Sequence, residues 1–128
     1  MNLPKNLHYT KSHEWILFLD ETTARVGITD FAQHELGDLV FVNLPQVGDK
    51  CEVDQVFADV ESVKAVSDIY GPVTGEIAAV NEELADNPQL INSQPYDAWF
   101  IEVRNISDKM KFLTAEEYQL FCEEDEGH

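Results

Sequence analysis

Lys64 is the one Lys, Arg or His between Cys51 and Val103. It sits in Glu61-Ser62-Val63-Lys64-Ala65, flanked by Val60, Val63 and Val66, between two apolar runs that read as strands. A lysine in such a window is commonly just an exposed strand or turn residue. Its isolation and its place between two strands favour a displayed amine, which an enzyme could acylate only at an accessible bend. The other candidates for chemistry are weaker. His8, His13, His34 and His128 show no ligand spacing, and Cys51 and Cys122 stand far apart, so neither a metal site nor a disulfide framework is expected. Gly71 and Gly75 are not followed by the Lys-Ser or Lys-Thr of a phosphate loop.

The elements that must position this lysine fit one domain, residues 1–128. With 25 Asp and Glu against 8 Lys and Arg, the formal charge is −17. That charge opposes binding to nucleic acid or to anionic membranes. A hydrophobic fraction of 44% is enough to build a core rather than a disordered acidic chain. No signal core or membrane-length run is present, so a cytoplasmic setting is expected.

His13 to Leu19 and Ala24 to Ile28 predict a hairpin around Asp20-Glu21-Thr22-Thr23. Thr29 caps a short helix over Asp30 to Leu36, which Gly37 ends. A diverged repeat spans about 45–59 and 72–86: Pro45-x-x-Gly48-Asp49 matches Pro72-x-x-Gly75-Glu76, Val53-Asp54 matches Val80-Asn81, and Phe57-Ala58-Asp59 matches Leu84-Ala85-Asp86. Two copies suit a pseudo-twofold pair of strand motifs in one sandwich, with Lys64 between them. Trp99 to Val103 reads as a strand, Arg104 to Lys111 as a connector, and Thr114-Ala115-Glu116-Glu117 as a capping box. A helix is expected from Ala115 to Cys122, with Glu123 to His128 frayed.

The lysine window, together with Ser67-Asp68-Ile69-Tyr70, Gly71-Pro72-Val73-Thr74-Gly75-Glu76-Ile77 and Val80-Asn81-Glu82-Glu83-Leu84, closely resembles the H protein of the glycine cleavage system. Tyr9-Thr10-Lys11-Ser12-His13-Glu14-Trp15, Val26-Gly27-Ile28-Thr29-Asp30, Leu36-Gly37-Asp38, Phe41-Val42 and Asn92-Ser93-Gln94-Pro95-Tyr96 extend the likeness over nearly the whole chain. The resemblance implies a mostly β fold: a flattened β-sandwich, or barrel-sandwich hybrid, of the lipoyl or biotinyl carrier type, with short peripheral helices and a C-terminal helix. It implies lipoate in amide linkage on Lys64, no catalytic residues, and a carrier role in glycine catabolism and one-carbon metabolism. The partners it implies are a pyridoxal-phosphate glycine decarboxylase, an aminomethyltransferase, a flavin-dependent dihydrolipoamide dehydrogenase and a lipoate-attaching enzyme. A pocket for the aminomethyl-lipoyl arm is implied at Ser12, Glu14 and Asp68.

Two departures from the family pattern stand out. Glu35 occupies the place where some members have His, with His34 one residue earlier, so no histidine is assigned to the pocket. Pro95-Tyr96-Asp97-Ala98-Trp99 is one residue shorter than usual and lacks a Gly, which predicts a different turn. The alternative within the resemblance is a carrier that relays lipoate to other lipoyl-dependent enzymes. Biotin carriage fits less well, because Val63 and Ala65 stand where biotin domains usually have methionines. An interaction module with an unmodified Lys64 is the remaining class.

Overall fold

The computed structural model describes residues 2–126. In chain order its elements are β1 (His8–Tyr9), β2 (Glu14–Asp20), β3 (Thr23–Ile28), α1 (Asp30–Leu36), β4 (Leu39–Asn43), β5 (Lys50–Cys51), β6 (Val56–Ser62), β7 (Val66–Tyr70), β8 (Val73–Val80), α2 (Glu83–Asp86), α3 (Leu90–Ser93), β9 (Ile101–Lys109) and α4 (Ala115–Glu126). A six-stranded sheet runs β1-β2-β3-β9-β8-β5 and a three-stranded sheet runs β4-β6-β7, every pairing antiparallel. The expected flattened β-sandwich with peripheral helices and a C-terminal helix is what the chain adopts, and neither sheet closes into a barrel.

The core is built from the inward faces of the two sheets. Val26, Ile77 and Val103 from the larger sheet join Leu39, Val60 and Ile69 from the smaller one, all buried. Burying each such side chain is worth about 1.5–3 kcal/mol. A second cluster of Tyr9, Trp15, Phe31 and Tyr118 fixes α4 against β1, β2 and α1. Gly27 is required there, because a Cβ on it would stand 2.6 Å from the Trp15 ring.

The predicted hairpin is β2 and β3. Helix α1 begins and ends where its caps place it: Thr29 Oγ1 accepts from the Ala32 N–H, and the Gly37 N–H donates to the Gln33 carbonyl with Gly37 at φ 79°. The capping box also forms, with the Thr114 N–H donating to Glu117 and the Glu117 N–H donating to Thr114 Oγ1.

Three expectations need correction or extension. Arg104 to Lys109 is not a connector but the continuation of β9, laddered to β8 from Val73↔Lys109 to Val80↔Ile101. Beyond Val103 this strand is largely exposed, so the apolar alternation that signals a strand is missing while the backbone pairing persists. Helix α4 runs past Cys122 to Glu126, and Gln119 donates to Glu123 one turn on; Gly127 and His128 lie outside the described residues. The two repeat copies meet at β5 and β8, where Lys50 faces Glu76 and Cys51 faces Gly75. Their likeness ends at the third segment: Phe57-Ala58-Asp59 lies in strand β6, whereas Leu84-Ala85-Asp86 lies in helix α2.

Candidate functional site

Strands β6 and β7 pair down to Glu61↔Val66, and Ser62-Val63-Lys64-Ala65 makes the turn beyond them. The Ser62 N–H donates to the Ala65 carbonyl at 2.8 Å, closing the turn. Ser62 Oγ accepts from the N–H groups of both Lys64 (3.1 Å) and Ala65 (3.0 Å). A short hydroxyl side chain can take over turn donors in this way because it reaches the backbone two or three residues ahead. The Val63 N–H donates to the Asp38 carbonyl at 3.0 Å, tying the tip to the segment that joins α1 to β4.

Lys64 is exposed and makes no ion pair or hydrogen bond through its ammonium among the described residues. Its methylenes lie over Gly37: a Cβ there would come within 3.2 Å of Lys64 Cε and 3.7 Å of Cδ. The amine is thus displayed at the end of α1, with a glycine beneath its stem.

Helix α1 and strand β7 form the walls of a cleft of about 410 Å³. Ser12, Glu35, Ser67 and Asp68 give it polar groups, and Phe31 and Ile69 give it an apolar floor. Of the three expected pocket residues, Ser12 and Asp68 line this cleft. Glu14 does not; it is fully buried one hydrogen bond behind Ser12, whose Oγ donates to Glu14 Oε1 at 2.6 Å. Thr10 Oγ1 donates to the same oxygen at 2.7 Å and accepts from the Glu14 N–H at 3.0 Å. Oε2 of Glu14 is buried and closes no hydrogen bond among the described residues. Burial raises the Glu14 carboxyl above its ordinary value of 4.5, opposed by the hydrogen bonds of Ser12 and Thr10 and by the Tyr70 backbone dipole, with Asp54 adding to the rise.

His13 and Glu35 also line the cleft, and neither was singled out for it by sequence. His13 takes φ 74°, and its Nδ1 lies 2.6 Å from Tyr118 Oη, which is 2.7 Å from Thr29 Oγ1. These contacts span up to 105 residues, so no local spacing announces them. The turn at Pro95 is formed without glycine: none of the positive-φ positions falls within it. It is held by Trp15 Nε1 donating to the Pro95 carbonyl and by the Asp30 N–H donating to Tyr96 Oη.

Fold and site place the chain in the class of two-sheet β-sandwich domains that display a lysine on a hydroxyl-braced hairpin beside a cleft. Comparison with known proteins narrows the class. The family model described as glycine cleavage H-protein matches residues 7–125, and the chain belongs to that family. The glycine cleavage system H protein of Lachnoclostridium phytofermentans is 57% identical over 125 residues, spanning 98% of each chain. That of Anoxybacillus flavithermus is 49% identical over 128 residues, spanning 98% of this chain and all of the relative. A crystal structure of a glycine cleavage system H protein from Mycobacterium marinum superposes with a TM-score of 0.86 at 39% identity, covering 98% of this chain and 100% of the other. Proteins of this family are carrier components rather than enzymes. Among the described residues, no helix is long and apolar enough to cross a membrane.

Proposed function

We propose that Lys64 carries lipoate as an amide and that the chain serves as the lipoyl carrier of the glycine cleavage system. The observation that carries this reading is the Ser62–Ala65 turn, which holds the backbone of Lys64 while leaving its amine exposed and unpaired. The donor set suits the group: an amide bond needs one accessible primary amine, and acylation removes a charge that pairs with no carboxylate among the described residues. The attached dithiolane supplies a disulfide that can be opened, loaded and reoxidised.

The chain's own residues would tether and shelter. A fixed attachment point raises the local concentration of the arm's end at each partner's active site. The cleft between α1 and β7 begins beside Lys64, since Glu35 and Leu36 line it immediately before Gly37. An arm laid back into it would meet Ser12 and Asp68, with Glu14 behind. An aminomethyl ammonium would donate a charge-assisted hydrogen bond to Asp68, and the apolar floor would limit its hydrolysis. The enzymes it would meet are the pyridoxal-phosphate glycine decarboxylase, the aminomethyltransferase, dihydrolipoamide dehydrogenase and the lipoate-attaching enzyme.

Peptide mapping of native protein tests the attachment: a lipoyl mass increment on the Lys64 peptide is expected, and an unmodified lysine overturns it. Glycine-dependent exchange of carbon dioxide with the decarboxylase tests the cycle. If exchange is absent and the acyl group instead moves to another acceptor protein, the chain is a lipoate relay.

A further inference from the structure

Three residues lie between the exposed amine and the body of the protein on the α1 side: Gly37 under the lysine stem, Asp38 bonded to the tip, and Leu39 opening β4 opposite Ser62. One side chain grips both ends of that segment. Asn92, on the four-residue helix α3, donates through Nδ2 to the Gly37 carbonyl at 2.9 Å and to Gln33 Oε1 at 3.0 Å. Its Oδ1 accepts from the Leu39 N–H at 2.9 Å. Gly37 offers only a carbonyl here and Leu39 only an N–H, so the amide can face just one way. All three hydrogen bonds of its side chain go to α1 and the segment that joins α1 to β4. Helix α3 is otherwise seated by Ile91 in the core, and the Asn92 side chain is its polar link to the α1–β4 segment.

We propose that Asn92 is a positioning residue for acylation of Lys64, acting through the Gly37–Asp38 turn that it clamps. The inference rests on Lys64 being the acylated residue. In the reaction, deprotonated Nζ attacks the carbonyl carbon of an activated lipoyl adenylate. The new C–N bond forms, the bond from the acyl carbon to the phosphate oxygen breaks, AMP leaves with that electron pair, and nitrogen loses a proton. The attack needs the amine within a narrow range of positions over the acyl carbon, and small misplacements are costly in rate. Beyond the β6–β7 ladder and the Ser62 bonds that hold the hairpin itself, two contacts set the amine against the α1 side of the sandwich: Gly37 against the stem and the Asp38 carbonyl on the Val63 N–H. Both belong to the turn that Asn92 holds.

The test is acylation of purified apo-protein by a lipoate ligase with lipoate and ATP, comparing wild type, Asn92→Ala and Asn92→Asp. Asparagine to aspartate keeps the acceptor for Leu39 and loses both donors, so it serves if the alanine variant folds poorly. Expected for Asn92→Ala is a fall in kcat of about 10- to 100-fold with KM changed less than about threefold, with aspartate intermediate. Amide hydrogen exchange should quicken at Val63 and Leu39 and stay unchanged at Val60 and Ile69, which lie within β6 and β7. Simple loss of stability would instead speed exchange throughout and leave kcat intact below the melting transition. Folded variants with wild-type kcat overturn the inference while leaving Lys64 as the acylated residue. Failure of the wild type itself to take lipoate overturns the reading on which it rests.

Discussion

Two turns in this protein are built by the same device and put to opposite use. At Ser62–Ala65 a hydroxyl accepts backbone N–H groups and the charged residue it braces, Lys64, stands in solvent. At Thr10–Glu14 a hydroxyl again accepts a backbone N–H, but the charged residue is fully buried and one of its carboxylate oxygens closes no hydrogen bond among the described residues. Burial strips water from a charge and makes every remaining bond to it count, whereas exposure lets water replace what a mutation removes. Under the proposed function the exposed turn would carry chemistry with little structural consequence, while the buried one carries structure whose cost is set by its charge.

Substitutions at the two turns should separate these roles, and the largest contrast lies at the charged residues' own positions. Lys64→Ala should abolish lipoyl attachment, read as loss of the mass increment, while unfolding free energy changes by no more than about 0.5 kcal/mol. A large loss of stability would place the lysine in the packing and break the contrast. Thr10→Ala should cost about 1–3 kcal/mol in urea unfolding, because it strips one of the two donors from a buried carboxylate oxygen and orphans the Glu14 N–H. The matching change in the other turn, Ser62→Ala, should cost only about 0.5–1 kcal/mol: Ser62 is itself buried, but the Lys64 and Ala65 residues whose N–H groups it braces are exposed. Equal costs in the two turns would mean that burial is not what distinguishes them.

The subtlest effect is in pH dependence. The folded protein holds the Glu14 proton more tightly than the unfolded chain does, because burial raises its carboxyl above 4.5. Stability from this residue is therefore fully present below the unfolded value and is lost as pH rises through the folded one. Glu14→Gln has no proton to lose there. Wild type minus Glu14→Gln, measured by denaturant unfolding at a series of pH values, should decline from about pH 4.5 upward and then level off; a flat or rising difference would refute the buried-charge account.

Much of this layout is legible from residue order, for reasons that are local. Helix α1 can be bounded in advance because Thr29 and Gly37 act on atoms within four residues of themselves. The capping box at Thr114 and the β2–β3 hairpin are equally short-range. The outer half of β9 escapes notice because both its faces are wet and its stability comes from backbone pairing with β8, which leaves no apolar rhythm. At the site, Lys64 is conspicuous by isolation, and Ser12, Glu14 and Asp68 come from resemblance. The buried setting of Glu14 and the role of Asn92, whose bond to Gly37 spans 55 positions, emerge only when separate segments are folded together.

The double acceptance by Ser62 Oγ has a consequence for motion. Both peptide groups that follow Val63 are pinned by a single oxygen, so the main chain at Lys64 contributes almost no angular freedom. Whatever hangs from that residue must sweep space by rotation about its own side-chain and cofactor bonds around a stationary pivot. Every visitor to the carrier would then find the same origin and the same radius, and would need only to bring its active site onto that sphere.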